Sequence, residues 1–316
     1  MTVSVKKILK TSLPLLFGAV LVWYSLSKIS INILIGYFKE ANYEWISLGL
    51  FFGILSHLSR AYRWKFMLEP LGFKPRFTNS VLAVLVGYLV NLAIPRAGEV
   101  SRAFVLTNYE QIPFEKGFGT IVAERIADLV MMLCVIIITL FVQFDFIYDL
   151  LTKNFDARKI SIGLIILIII CYILYFFVKK ATSGVLLKIK TFVIGLVEGV
   201  TSIFKMKNKV AFIFHTIFIW GMYVAMFWAT IPAISELEVP FGGVLIGFIA
   251  GGFSIAATNG GVGLYPIAVA GALALFDIPS DPATAFGWIM WTAQTAMIII
   301  FGGLAFLFLP IYNKHK

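Results

Sequence analysis

One apolar run in this 316-residue chain is interrupted where a membrane helix would normally continue. The run extends from Val81 to Ile94, and Pro95 and Gly98 then break it. Non-helical backbone at membrane depth is tolerated only where it is buried in protein or lines a water-filled cavity. The stretch therefore predicts a broken helix with a polar site, because three charged side chains lie at the break: Arg96, Glu99 and Arg102.

The composition predicts a polytopic membrane protein. Hydrophobic residues make up 60% of the chain and charged residues 13%, whereas a soluble domain has about 25% charged residues. We expect one transmembrane domain over residues 1–316, all α-helical, with no room for a soluble catalytic domain. The net charge of +10 does not indicate nucleic-acid binding, because the lysines and arginines lie between apolar runs. We expect no metal and no cofactor, since both cysteines lie within apolar runs.

About 20 apolar residues cross the hydrocarbon core of a bilayer. On this rule the sequence predicts six full spans and two interrupted segments. The full spans are expected at about Leu13–Ile29, Glu44–Leu58, Ile126–Phe144, Ile160–Val178, Val210–Ile234 and Ala283–Leu309. The interrupted segments are expected at about Ser80–Leu106 and Phe241–Phe276. Four tryptophans near span ends are expected to be interfacial anchors: Trp23, Trp45, Trp64 and Trp288.

The distribution of positive charge predicts the orientation. If both interrupted segments return to the side that they entered, 20 lysines and arginines face the cytoplasm and five face outside, with Arg125 set aside. This bias follows the positive-inside rule and places both termini in the cytoplasm. If the segments crossed fully, the basic cluster Lys179–Lys209 would face outside. Residues 184–206 have the spacing of an amphipathic helix, either on the inner leaflet or packed on the bundle as a connector.

The two interrupted segments align without a gap. Asn91 then matches Ser254, and Gly98 matches Gly261. The alignment predicts an inverted repeat, with repeat one at about 10–145 and repeat two at about 158–310. Three full spans separate the segments, so two re-entrant hairpins would enter from opposite faces, as in many transporters. The alternative is chance similarity between two apolar segments.

The first break has the groups that bind phosphate. The helix after the break is expected to begin near Gly98, where its free amides attract an anion. Arg96 and Arg102 add guanidinium groups, whose planar fork fits phosphate. Glu99 either holds one of these arginines or meets a cationic headgroup. Asn91 lies one turn before the break.

Further polar groups lie near the predicted inner membrane boundary. Glu124, Arg125 and Asp128 either take part in function or form a buried ion-pair network that fixes their helix against the first hairpin. Arg60 and Arg63 are either anchors to anionic lipid or substrate contacts. The second break offers uncharged groups and backbone amides: Thr258, Asn259, Gly260, Gly261 and Gly263.

Four motifs together resemble a known family. They are Arg60-Ala-Tyr-Arg63-Trp64, the block from Asn91 to Arg102, Glu124-Arg125-Ile-Ala-Asp128 and Gly260-Gly261-Val-Gly263. They are similar to the lysylphosphatidylglycerol synthase transmembrane (flippase-like) family, whose members include the membrane half of bacterial phosphatidylglycerol lysyltransferase. The resemblance covers roughly residues 10–310. It implies a bacterial or archaeal inner-membrane protein that moves lipids between leaflets. The aminoacyl-transferase domain of the full-length synthase has no counterpart in this sequence, so we expect no lysine transfer.

The sequence therefore predicts a lipid flippase or transporter. Its expected partners are membrane phospholipids, anionic or aminoacylated, whose headgroups enter a polar cavity between the two hairpins. One alternative is a carrier for polyprenyl-phosphate-linked lipids. Another is a membrane enzyme acting on lipid-phosphate headgroups, with Glu99, Glu124 and Asp128 as acid–base or metal-binding groups, although no nucleophile–base pair is evident. The headgroup, the direction, the energy coupling and the formation of a homodimer stay open.

Overall fold

The computed structural model describes residues 18–94, 96–154 and 206–314, with isolated positions between 162 and 194. Every regular element in the described ranges is helical. The helices are α1 (Gly18–Leu26), α2 (Ile31–Glu40), α3 (Tyr43–Leu68), α4 (Phe77–Ala93), α5 (Ala97–Glu110), α6 (Phe114–Val142), α7 (Phe144–Asn154), α8 (Lys209–Thr230), α9 (Phe241–Ala257), α10 (Leu264–Ala274) and α11 (Ser280–Tyr312). Single 3₁₀ turns follow α3 (Glu69–Leu71) and α8 (Ile231–Ala233).

The chain forms two compact units. The first contains Met1–Glu124 and Val210–Lys316, and the second contains Arg125–Lys209. By length and apolar composition, three helices in the described ranges could cross a membrane: Phe114–Val142, Lys209–Ala233 and Ser280–Tyr312. Helices α1 and α2, bent by 84°, make a fourth if they are one broken span. The six predicted full spans are thus not all established, and the span at Ile160–Val178 and the helix at 184–206 lie outside the described ranges.

Three helices differ from the prediction. Helix α2 lies where an external loop was expected, and it forms because its buried Leu34 packs in the core with Ile29 and Ile46. Helix α3 contains the predicted span but continues ten residues further, so Arg60 and Arg63 lie within a helix rather than after it. Helix α7 also occupies a predicted loop.

Helices α4 and α5 form the first broken pair. Helix α4 ends at Ala93 and α5 begins at Ala97, which confirms the predicted break. The two helices pack closely because two glycines meet: a Cβ on Gly98 would clash with the Gly87 carbonyl. The start of α4 lies beside the end of α5, where Arg76 Nε donates to Glu110 Oε1 at 2.9 Å. The chain therefore folds back on itself at the break.

Helices α9 and α10 form the second broken pair. Helix α9 has 17 residues, the same length as α4. The start of α9 again lies beside the end of its partner, since a Cβ on Gly243 would be 3.4 Å from the Phe276 ring. The second break is longer, however, at residues 258–263 against 94–96. The ungapped alignment therefore fails beyond the break: Gly98 lies in a helix, while Gly261 lies in the loop with φ of 80°.

Helix α11 connects the two broken pairs. Its 33 residues give a length of about 50 Å at 1.5 Å per residue. The second pair lies along its amino-terminal half and the first pair along its carboxyl-terminal half. The contacts follow this order along the helix: Gly287 with Pro266, Trp291 with Gly260, Gly302 with Leu89, and Asn313 with Asn79.

The tryptophans divide into two groups. Trp23 and Trp45 are 70% and 40% exposed, as interfacial anchors would be. The prediction is wrong for Trp64 and Trp288, which are 0% and 8% exposed. Trp288 belongs to the apolar core and lies against the Trp291 ring. Trp64 is buried beneath the guanidinium group of Arg102.

Candidate functional site

A buried carboxylate forms the centre of the polar site. Glu124, at the end of the first unit's part of α6, has 0% exposure. Its oxygens accept hydrogen bonds from Arg102 Nη1 at 3.2 Å and from Arg102 Nη2 at 3.0 Å. Arg60 Nη1 donates to the same carboxylate, and Arg63 Nη2 lies 3.5 Å from it. We call these four residues the arginine cluster.

Helix geometry explains how the arginines converge. Arg60 and Arg63 are three residues apart in α3 and therefore share a face. Trp64 follows on the same side, and the Arg102 guanidinium lies 4.3 Å from its ring centre. Such a contact between a cation and an aromatic face is attractive. Trp64 Nε1 also donates to Thr120 Oγ1 at 2.8 Å, which positions the ring against α6.

Helix α8 contributes partners that sequence reasoning missed. Arg63 Nη1 donates to Thr216 Oγ1 at 3.0 Å. Arg60 Nη2 donates to the Tyr223 hydroxyl at 3.3 Å. Thr216 and Tyr223 are seven residues apart, about two turns, so they lie on one face of an otherwise apolar helix. That spacing is the sequence pattern that could have identified Thr216 and Tyr223 as members of the site.

The electrostatics of the cluster favour an anion. Three guanidinium groups and one carboxylate give it a formal charge of +2, and all four side chains are at most 6% exposed. Ionisable groups buried in membrane helices are costly, and they are typical of substrate and ion pathways. The cluster is also the buried ion-pair network that the sequence offered as an alternative, since it joins α6 to α5 of the first broken pair.

At the first break, several predicted residues bond to one another. The Gly98 amide donates to Asn91 Oδ1 at 2.7 Å, and the Ala97 amide donates to the Ile94 carbonyl at 3.1 Å. These bonds occupy two of the amides that were expected to attract an anion. Arg96 is exposed and has φ of 63°, in the left-handed region.

Glu99 differs from the other charged residues near the break. The carboxylate that holds Arg102 is Glu124, although Glu99 lies one turn from Arg102 in the same helix. Glu99 Oε2 is buried and has no hydrogen-bond donor among the residues that the structure describes. A buried carboxylate oxygen without a donor is unfavourable. It is therefore a position where a ligand amine would be stabilised.

The second break lies against the first. Asn259 Nδ2 donates to the Leu92 carbonyl at 2.8 Å, in the last turn of α4. The Gly260 carbonyl accepts from Trp291 Nε1 at 2.9 Å, and Thr258 Oγ1 donates within its own helix to the Ser254 carbonyl. Gly261 and Gly263 are buried. The two breaks thus contact each other within the first unit, at half-buried residues.

Arg125 and Asp128 belong to the second unit. Arg125 Nη2 lies 3.5 Å from Asp128 Oδ2, as their spacing in one helix allows. The predicted group of three charged residues is therefore divided: Glu124 joins the arginines of the first unit, while Arg125 and Asp128 pair with each other.

The sequence is similar to one protein family and to two known proteins. The sequence matches the family described as "Lysylphosphatidylglycerol synthase TM region" over residues 12–302. It is similar to the UPF0104 membrane protein of Methanocaldococcus jannaschii, at 31% identity over 125 residues, which are 39% of this chain and 37% of that protein. It is also similar to the glycosyltransferase AglD of Haloferax volcanii, at 31% identity over 77 residues, which are 24% of this chain and 12% of that protein.

Both of these matches cover well under two thirds of the relative. No solved structure matches the chain significantly. The family match, by contrast, extends over most of the chain and includes both broken pairs and the arginine cluster. This chain is a multi-pass membrane protein that belongs to the family of the lysylphosphatidylglycerol synthase transmembrane region.

Proposed function

We propose that this protein is a flippase, which moves a phosphate-bearing lipid between the leaflets of the inner membrane of a bacterium or archaeon. The observation that carries the proposal is the meeting of two helix breaks, joined by Asn259 and Leu92, in the unit that holds the arginine cluster. A headgroup would cross past the polar groups of the two breaks while its acyl chains stay in the bilayer.

The arrangement of the broken pairs supports this proposal. In each pair the start of the first helix lies beside the end of the second helix. The two pairs lie along opposite halves of α11. We propose that they are re-entrant hairpins of an inverted repeat, entering from opposite faces. Broken helices that meet near the midplane are typical of secondary transporters. On the positive-inside rule, the first hairpin's base and both termini would lie in the cytoplasm.

Each charged group has a proposed role. The arginine cluster would hold the lipid phosphate, because arginine binds phosphate through two parallel hydrogen bonds. Glu99 would meet an amine of the headgroup. It lies three residues before Arg102, a rise of about 4.5 Å along the helix. An aminoacylated or other amine-bearing phospholipid carries both an amine and a phosphate. A homodimer stays a prediction, as does the absence of nucleic-acid binding.

Reconstitution in liposomes tests the proposal. Transfer of a fluorescent phospholipid is followed by adding dithionite, which reduces only the outer leaflet's label. We expect Glu99→Gln to slow an amine-bearing lipid about tenfold or more, since a charge-assisted hydrogen bond contributes about 1.5–3 kcal/mol. Glu115→Gln is the matched control, because Glu115 is exposed. Equal rates for wild-type protein, Glu99→Gln and protein-free liposomes would refute the proposal.

A second candidate is favoured by the match to a glycosyltransferase. In that case the chain would carry a sugar linked to a polyprenyl phosphate, which presents a similar phosphate to the arginine cluster. Faster transfer of a fluorescent polyprenyl-phosphate sugar than of phospholipid in the same liposomes would support it. Covalent change of either lipid, detected in extracts by mass spectrometry, would instead indicate an enzyme.

A further inference from the structure

An apolar groove lies on the outer side of the pair formed by α3, which bears Arg60 and Arg63, and α8. It runs between α3 and α8, beside the start of α4, and has a volume of about 280 Å³. Four of its lining side chains are more than a third exposed, so the groove opens at the surface. The lining residues are Leu55, Leu58, Ser59, Tyr62, Phe77, Phe214, His215 and Phe218.

Two polar atoms in this wall are paired with each other. Ser59 Oγ and His215 Nδ1 are hydrogen-bonded to each other at 2.8 Å. The His215 ring also lies against aromatic rings, with its centroid 5.0 Å from that of Tyr62. The groove therefore presents hydrocarbon and aromatic surface, and its occupant must be apolar.

The groove adjoins the arginine cluster through neighbouring residues. Ser59 precedes Arg60 in α3, and His215 precedes Thr216, which accepts from Arg63. Successive helical residues are about 100° apart, so the groove lies outside the helix pair and the guanidinium groups lie inside it. A negative group attached to the apolar occupant would be attracted by the cluster's formal charge.

We propose that the groove holds one acyl chain of the phospholipid whose phosphate meets the arginine cluster. This inference rests on the proposed function, since it assigns the tail of the same substrate. A phospholipid satisfies both features: its hydrocarbon chain matches the wall, and its phosphate matches the positive charge of Arg60, which follows Ser59 in α3. A free phosphate would use the cluster but not the groove.

Photolabelling of the full chain in liposomes tests the inference. The probe is a phospholipid with a diazirine in one acyl chain, and adducts are mapped by mass spectrometry. We expect adducts to concentrate on the groove residues of α3 and α8. Leu58→Trp should lower them about fivefold, because an indole leaves little space in a close-packed wall. Leu48→Trp is the matched control on the same helix, since Leu48 is 38% exposed and Leu58 is 37% exposed.

Competition tests the link to phosphate. In detergent micelles that contain no other lipid, excess unlabelled phospholipid should displace the groove adducts, whereas diacylglycerol, which has no phosphate, should not. Adducts spread evenly over exposed positions such as Ile300 would overturn the inference, and so would equal competition by diacylglycerol. Groove labelling without leaflet transfer would keep this assignment and refute transport. Leaflet transfer without groove labelling would refute only the assignment of the acyl chain to the groove. The wild-type adduct map tests whether the acyl chain lies in the groove even if Leu58→Trp fails to fold.

Discussion

Glu124→Gln should destabilise the protein more than any other single substitution in the arginine cluster. The carboxylate binds three buried arginines from two helices, with Arg102 in a two-bond contact at 3.0 and 3.2 Å. The amide has no charge, so the substitution leaves the guanidinium groups buried without their carboxylate. Removing one partner of a buried ion pair costs about 3–5 kcal/mol.

Arg102→Ala provides the internal comparison. It leaves Glu124 with Arg60 and Arg63, and hydrogen bonds to charged groups contribute about 1.5–3 kcal/mol. We therefore expect a smaller loss of unfolding free energy than for Glu124→Gln. Glu115→Gln makes the same chemical change at an exposed position, and surface substitutions usually lie within about 0.5 kcal/mol of wild type.

The assay is equilibrium unfolding in mixed micelles, with sodium dodecyl sulfate as the denaturant and circular dichroism as the signal. The expected order of destabilisation is Glu124→Gln, then Arg102→Ala, then Glu115→Gln. If Glu124→Gln and Glu115→Gln agreed to within about 1 kcal/mol, the cluster would be solvated rather than buried, and the reasoning from desolvation would fail.

Two further predictions concern the breaks. Gly98→Ala should separate α4 from α5 and lower the yield of folded protein, because the new Cβ would lie 2.6 Å from Asn91 Cγ. Gly119→Ala, at a position with open space around it, should be neutral or stabilising. Thermal unfolding would compare the two variants. Asn259→Ala should cost about 1 kcal/mol and speed amide hydrogen exchange at the end of α4, since the Leu92 carbonyl loses its donor. Unchanged exchange there would show that the two breaks do not depend on each other.

The helix breaks were predictable because their causes are local. Proline and glycine both disfavour helical backbone, and the structure confirms breaks after Ala93 and after Ala257, where such residues follow. Helix α2 was not predicted, because its residues form a helix through burial against distant parts of the chain. The second break was also predicted at residues 258–263, where three glycines allow left-handed backbone between helices that end at Ala257 and begin at Leu264.

The charged members of the candidate site could be read from the sequence, but their pairing and their uncharged partners Thr216 and Tyr223 could not. Glu99 is three residues from Arg102, whereas Glu124 is 22 residues away, and both are plausible partners by charge. The structure places Glu124 within 3.0 Å of Arg102 and leaves Glu99 Oε2 without a donor. Trp64 was assigned to the interface for a similar reason: sequence position shows that a residue is near a span end but not which side it faces.

By itself, the sequence determined that this protein lies in a membrane and that its helices break at two places, because hydropathy and backbone restrictions are properties of short segments. It also determined which charged residues are near the first break. Only the tertiary structure decided that three arginines share Glu124 and that the breaks meet at Asn259 and Leu92. These contacts join residues far apart in the chain, and helix packing, which no local pattern encodes, brings them together.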